Sequence, residues 1–172
     1  MTPDEQSFSR WAGERQLSLL RTAVLLTGDR HRAEDLVQEA LTQVAVRWSR
    51  LRDGHPDAYA RQVIVRANIS WWRKHRHEVV LDLYDGTGST TPDNTAEDTA
   101  DRRMVLDRAL ATLTPRQRAT VVLRYYDDLS ERETAEALGV STGTVKSQTH
   151  LALRRLREAS PELAELLGEE TR

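Results

Sequence analysis

Apolar residues in the first half of the chain return every three or four positions, the spacing of a helix face. Leu17, Leu20, Val24 and Leu25 form one such set before the break at Thr27-Gly28-Asp29. Asp29 can then cap a second helix, in which Leu36, Val37, Ala40, Leu41, Val44 and Trp48 make a single stripe. The stretch "RDGHP" (Arg52–Pro56) interrupts the pattern, and Pro56 suits the first position of a third helix, where its missing N–H would have no partner anyway. In that helix Ala60, Ile64, Ala67 and Trp71 lie within about 60° of one line. Trp71 is therefore expected in the core. Trp72, roughly 100° further round, is expected at a module edge with Val65 and Arg61. The opposite ridge carries Gln62, Arg66, Ile69 and Arg73, with Ser70 beside them.

The second half is punctuated by helix caps. Thr114-Pro115-Arg116-Gln117 offers a cap, a proline at the first helical position and the reciprocal glutamine of a capping box. Ser130 with Glu133 is a second box, Ser141 can cap a third helix, and Ser160-Pro161 a short fourth one. Ala135, Leu138, Gly139, Val140 and Val145 then stand where a helix-turn-helix needs a small crossing residue, a core residue, a turn glycine and two core plugs. No segment alternates apolar and polar as a strand would. The fold class expected is all-α, in two small helical domains joined by a flexible acidic linker.

Charge marks the joint. Residues 1–77 carry 13 Lys+Arg against 9 Asp+Glu (+4), residues 78–101 carry 0 against 7 (−7), and residues 102–172 carry 12 against 11 (+1). From Tyr84 to Asp101 the chain is rich in Gly, Ser, Thr, Asp and Asn with no large apolar residue after Tyr84, too little to offset the cost of ordering. The division expected is a helical module over 1–77, a linker over 78–101, a helix-turn-helix module over 102–160 and a short tail over 161–172. The chain has no cysteine, which excludes disulfides and thiolate metal sites. Neither a leader peptide nor a membrane-length apolar run is visible, so a cytoplasmic protein is the expectation.

On the helix opened by Ser141, one face holds Val145, Thr149, Ala152 and Leu156. The opposite ridge presents Gly143, Ser147, His150 and Arg154, with Lys146 and Arg157 alongside. Small residues at the helix start permit close approach to a groove, and cations and hydroxyls then meet phosphates and base edges. A solvated basic face of an ordinary helical hairpin would carry similar charge, but not the helix-turn-helix spacing before it. Catalysis has no support: Asp35 and Glu39 share a helix face, and His75 and His77 lie two apart, yet nothing supplies a third metal ligand. No metal, no cofactor and no enzymatic activity are expected. A stand-alone helix-turn-helix regulator, with residues 1–77 as a sensory or dimerising domain, is the competing reading.

Two segments narrow the choice. "RAEDLVQEAL" (Arg32–Leu41) resembles the core-polymerase-binding segment of region 2 of bacterial sigma-70 factors. "LTPRQRATVVLRYYDDLSERETAEALGVSTGTVKSQTHLALRRLRE", from Leu113, resembles region 4 almost end to end. In this order they are similar to the small extracytoplasmic-function (ECF) group, which keeps only regions 2 and 4, and most of all to its actinobacterial SigE-type branch.

The resemblance implies a mechanism without a catalytic residue in this chain. Asp35, Leu36, Gln38 and Glu39 would dock region 2 on the β′ clamp helices of core RNA polymerase, and region 4 would meet the β flap. Arg52, Asp53, Gly54 and His55 match the loop that captures an unstacked base of the −10 element. Gln62, Arg66, Ser70, Arg73 and Lys74 fall on the −10-facing helix, with Arg66 where many relatives carry asparagine. Arg124, Ser141, Gly143, Thr144, Lys146, Ser147, Gln148, His150 and Arg154 match the −35-contacting part of region 4. The paired tryptophans with which housekeeping sigma factors wedge melting DNA align near Tyr59 and Ala60, so Trp71-Trp72 is not that wedge. Core RNA polymerase and promoter DNA are the implied partners, with an anti-sigma factor as the form of control common among relatives.

Overall fold

A computed structural model describes residues 2–85 and 97–161, with side chains over 2–75 and 102–161. The described residues form helices joined by short turns and include no strand. Helix α1 (Pro3–Thr27) begins well before the Leu17 pattern, because Thr2 and Glu5 form a capping box around Pro3. It ends at Gly28, whose φ of 70° is one that side chains rarely adopt. Its buried face is Leu19, Thr22, Ala23, Leu26 and Thr27. Of the expected apolar set, Leu20, Val24 and Leu25 pack half-buried against the core, whereas Leu17 points away and is 57% exposed. The early turns are held by an aromatic cluster. Phe8 and Trp11 each lie within 6.0 Å of another ring of the cluster, and Trp48 donates its indole N–H to Ser7 at 2.8 Å.

Asp29 caps α2 (Arg30–Val46) as expected, accepting from Arg32 N at 3.0 Å. A single turn, α3 (Trp48–Leu51), precedes α4 (Pro56–Asp85), which starts at its proline. Helix α4 runs past residue 77 to Asp85, and α5 (Glu97–Ala111) starts before residue 101. The stretch expected to be a flexible linker is therefore helical backbone at both ends, and 86–96 lies outside the described residues.

The core line of α4 is Ala60, Ile64, Val65 and Asn68, turned from the expected one towards Val65. Asn68 explains the turn. Its side-chain oxygen accepts from Arg32 at 2.7 Å and its amide donates to Leu26 O at 3.4 Å, so a polar residue is satisfied in the interior. Trp71 is consequently half-buried rather than core. Arg32 covers one face at 3.5 Å from the ring centre, and His75 stacks against the same indole at 4.4 Å. Trp72 meets it edge-on at 5.4 Å, half-buried at the edge as expected.

In the second half, α6 (Pro115–Val121) has the expected Thr114–Gln117 box and continues into a π-helical turn, Val122–Tyr126. Helix α7 (Glu131–Leu138) opens on the Ser130–Glu133 box and closes at Gly139, with φ 68°. Ser141 then caps α8 (Thr142–Ala159). Ser160 ends α8, and the short helix expected after it lies beyond the described residues.

Two apolar cores result, and they do not follow the expected division. One is built from Ala109, Leu110, Leu113, Val121, Ala152, Leu153 and Leu156 of α5, α6 and α8, with Leu25 of α1 packed against it. The other joins α1, α2 and α4 to Ala119, Val122, Leu123 and Ala137 of the second half. The two modules are folded onto each other.

Candidate polymerase and DNA surfaces

The first surface is the outer ridge of α2. Asp35, Gln38 and Glu39 are exposed, while Ala33, Leu36, Val37 and Ala40 hold the helix in the core. Leu36 is thus a core residue beneath the ridge, at 9% exposure, and presents little to a partner. Asp35 makes no ion pair with any described residue, and Glu39 only accepts from Gln43 at 3.2 Å. An acidic strip without cations beside it suits a basic partner.

The second surface is the loop before α4 and the α4 ridge. Arg52, Asp53, Gly54 and His55 are all exposed, with Arg52 paired to Asp4 and lying 3.5 Å from Asp53. A cleft of about 570 Å³ separates Gly54 and His55 from Glu133 and Glu136 of α7, leaving the loop accessible. Tyr59 is half-buried, bonded to Gln43 at 3.3 Å, and Ala60 is wholly buried. Along the ridge, Gln62 donates to Glu136 O at 3.2 Å, and Arg66 donates to both Ala137 O and Glu136 O at 3.2 Å. Ile69 packs towards Leu138 and Val140. Ser70 is half-buried, and Arg73 and Lys74 are exposed.

The third surface is α8. Ser141 accepts from Thr144 N at 3.1 Å, which ties the turn to the helix start. Gly143, Lys146, Ser147, His150 and Arg154 are exposed on one side, and Val145, Ala152 and Leu156 are buried on the other. Lys146 lies 3.6 Å from Glu131 and Arg154 3.9 Å from Glu158, pairs exposed enough to be worth little and to yield readily to phosphate. Thr144 and Gln148 are half-buried and line a small cavity against Ile69. Arg124 is also half-buried, with one guanidinium nitrogen on Leu129 O.

The sequence reading missed the polar residues between the modules. Asp127 accepts from Thr22 at 2.7 Å and pairs with Arg61 at 3.3 Å. Burial pushes its carboxyl up, and Thr22 and Arg61 offset that only in part. Arg118 donates to Leu25 O at the end of α1, and burial brings its guanidinium down to about 10. The available signal was an arginine directly before the largely apolar run Ala119-Thr120-Val121-Val122-Leu123, on a helix whose neighbouring positions are buried. Among the described residues, no group of three or more His, Asp or Glu could hold a metal, and no helix is long and apolar enough to cross a membrane.

Comparison with known proteins agrees with this geometry. Residues 14–78 match the family model for sigma-70 region 2, and residues 103–156 that for sigma-70 region 4. The chain is 41% identical over 152 residues to an RNA polymerase sigma-E factor of Streptomyces coelicolor, covering 88% of this chain and 84% of the relative. To the ECF RNA polymerase sigma factor SigL of Mycobacterium tuberculosis it is 37% identical over 150 residues, covering 84% of each. Among solved structures it is similar to the sigma factor RpoE of Bartonella quintana, in complex with the anti-sigma factor NepR. The TM-score is 0.68 at 25% identity, covering 88% of this chain and 95% of that one. CnrH, in complex with the cytosolic domain of CnrY, shares the fold at a TM-score of 0.59. The chain belongs to the sigma-70 family of RNA polymerase sigma factors, in its extracytoplasmic-function group.

Proposed function

We propose that this chain binds core RNA polymerase through the α2 ridge and directs it to promoters with two separate readers. Asp35, Gln38 and Glu39 meet the polymerase. The Arg52–His55 loop and the α4 residues Gln62, Arg66, Ser70, Arg73 and Lys74 take the −10 element. The start of α8, from Ser141 through Gly143, Lys146, Ser147 and His150 to Arg154, takes the −35 element, supported by Thr144, Gln148 and Arg124. Unstacking of a −10 base is offset by contacts to the captured base, as in other proteins that bind flipped or single-stranded bases. Phosphoryl transfer belongs to the polymerase, so the chain acts as a regulatory subunit in the cytoplasm, with residues 1–77 and 102–160 as its working regions. An anti-sigma factor is the expected regulator, as NepR is for the Bartonella protein.

The observation that carries this reading is the α2 ridge: exposed, acidic, and seated in a region 2 whose core residues lie directly beneath it. A stand-alone regulator has no use for such a strip. Size-exclusion chromatography with core polymerase tests it. The parent should co-elute stoichiometrically and an Asp35→Arg/Glu39→Arg variant should not. A folded parent that elutes apart from the polymerase would overturn the assignment.

A further inference from the structure

Asp4, Phe8, Trp11 and Arg15 recur at a spacing that puts all four on one face of α1. That face holds the chain on both sides of the loop Arg52–His55. Ahead of the loop, Asp4 pairs with Arg52. Trp48 donates its indole N–H to Ser7, whose hydroxyl donates in turn to Asp4 O at 2.9 Å. After the loop, Arg15 pairs at 3.2 Å with Asp57 in the first turn of α4. Between the two ion pairs, Phe8 and Trp11 close on Trp48, each with its ring centre 5.5 Å from that indole. Trp48 is buried, whereas Arg52, Asp53, Gly54 and His55 are all exposed.

The rings and the ion pairs contribute differently. Burial of Trp48 against two other aromatics stabilises α3, the turn from which the loop leaves. The ion pairs join partly exposed groups, and such pairs add little to folding stability in water. What they fix is geometry, because an exposed loop containing a glycine is tied at each end to the same helix. The match to region 2 begins at residue 14, so Asp4, Ser7, Phe8 and Trp11 lie ahead of it. We infer that the Asp4–Arg15 face of α1 is a positioning element of the −10 site, which holds the Arg52–His55 loop in the shape that selects the captured base. This rests on the reading of that loop as the base-capturing one. Selection of a base depends on donors and acceptors held closely in place, and a loop released from α1 would accept several bases in turn.

The test needs no known promoter. Holoenzyme made from core polymerase and this chain is offered a pool of random single-stranded oligonucleotides, and the retained strands are sequenced against a core-only background. Asp53→Ala/His55→Ala first locates the position that the loop reads, where preference should fall while flanking positions keep theirs. Asp4→Asn/Arg15→Gln should lower the preference at that same position about fivefold. Total retention, co-elution with core polymerase and the thermal midpoint should stay close to those of the parent, since both pairs are partly exposed. Asp4→Glu/Arg15→Lys, which keeps both charges, should restore most of the preference. Arg10→Gln/Glu14→Gln removes one charge of each sign from exposed positions of α1 and should change nothing. An unaltered preference in Asp4→Asn/Arg15→Gln would overturn the proposal. So would a preference lost evenly at every position, which is the mark of a general effect on folding. If Asp53→Ala/His55→Ala alters no position, the loop assignment itself falls, and the role given to α1 falls with it.

Discussion

On α8 the ridge of Gly143, Lys146, Ser147, His150 and Arg154 is exposed along its length and bonds to nothing in region 2, whereas on α4 Gln62 and the exposed Arg66 donate to carbonyls of α7, Ile69 packs towards Leu138 and Val140, and Arg73 and Lys74 stay exposed without a bond to region 4. Both are polar ridges on helices with a buried opposite face. What separates them is which core holds the helix. Helix α8 rests on a core that α5, α6 and α8 share, with Leu25 of α1 against it, and region 2 meets α8 beside the ridge, where Ile69 faces Thr144 and Gln148. Helix α4 rests in a core that also contains Leu123 and Ala137, and the chain that delivers those residues lies across the ridge. A DNA reader is bonded to the other module or free of it here according to the company its apolar side keeps.

The largest expected effect comes from that shared core. Leu123 is fully buried, and Leu123→Ala should destabilise the protein by about 2–5 kcal/mol, from lost transfer energy and the cavity left behind. Because Leu123 belongs to both modules, calorimetry should show one transition moved as a whole. A separate melt of region 4, with region 2 unmoved, would break the comparison by showing that α4 does not depend on region 4. Gly139→Ala comes next. A side chain at φ 68° costs roughly 1–2 kcal/mol, and the new Cβ would crowd Arg66 from 3.2 Å. The loss should exceed that for Gly28→Ala by little, since the second glycine faces Arg118 in the same way. Ser141→Ala should cost about 1 kcal/mol by removing the cap of α8. Its effect should appear in amide exchange at the start of α8 and leave α4 unaltered; exchange rising equally in α4 would deny the independence of the two ridges.

Helix caps and family segments made most of the fold legible. Thr114, Ser130, Ser141, Asp29 and Pro56 all start helices where their side chains or ring predict it. Such signals are local, and local chemistry decides where helices begin. The polar contacts between the modules were not legible, because their members are far apart in the chain: Arg66 with Ala137 O, Thr22 with Asp127, Arg118 with Leu25 O. Periodicity assigns polar residues to solvent, so Arg66 reads as a free DNA contact and the buried Asn68 gives no signal. The same rule moved Trp71 into the core, although Arg32 and Asn68 fill that side of α4 with their own hydrogen bond. For the DNA surfaces, composition and spacing located the ridges, and only the packing between modules shows which is covered.

The smallest effect is the most diagnostic of how the two modules are held together. Asp127 faces Arg61 from α4 and Thr22 from α1, yet burial raises its carboxyl above the ordinary value of 3.8. In the pH range between that value and its raised folded one, the folded protein binds more protons at this site than the unfolded chain does. Stability from this group is therefore greatest at low pH and is lost as pH rises through the folded value. Asp127→Asn keeps the shape and removes the buried charge, so it should be at least as stable as the parent at pH 7. It should also lack the parent's gain in relative stability as pH falls towards the unfolded carboxylate value. Chemical denaturation of both proteins across that range would measure the difference. A parent that loses stability relative to Asp127→Asn on acidification would mean that the Arg61 pair outweighs burial, and that its charge helps to hold the two modules together.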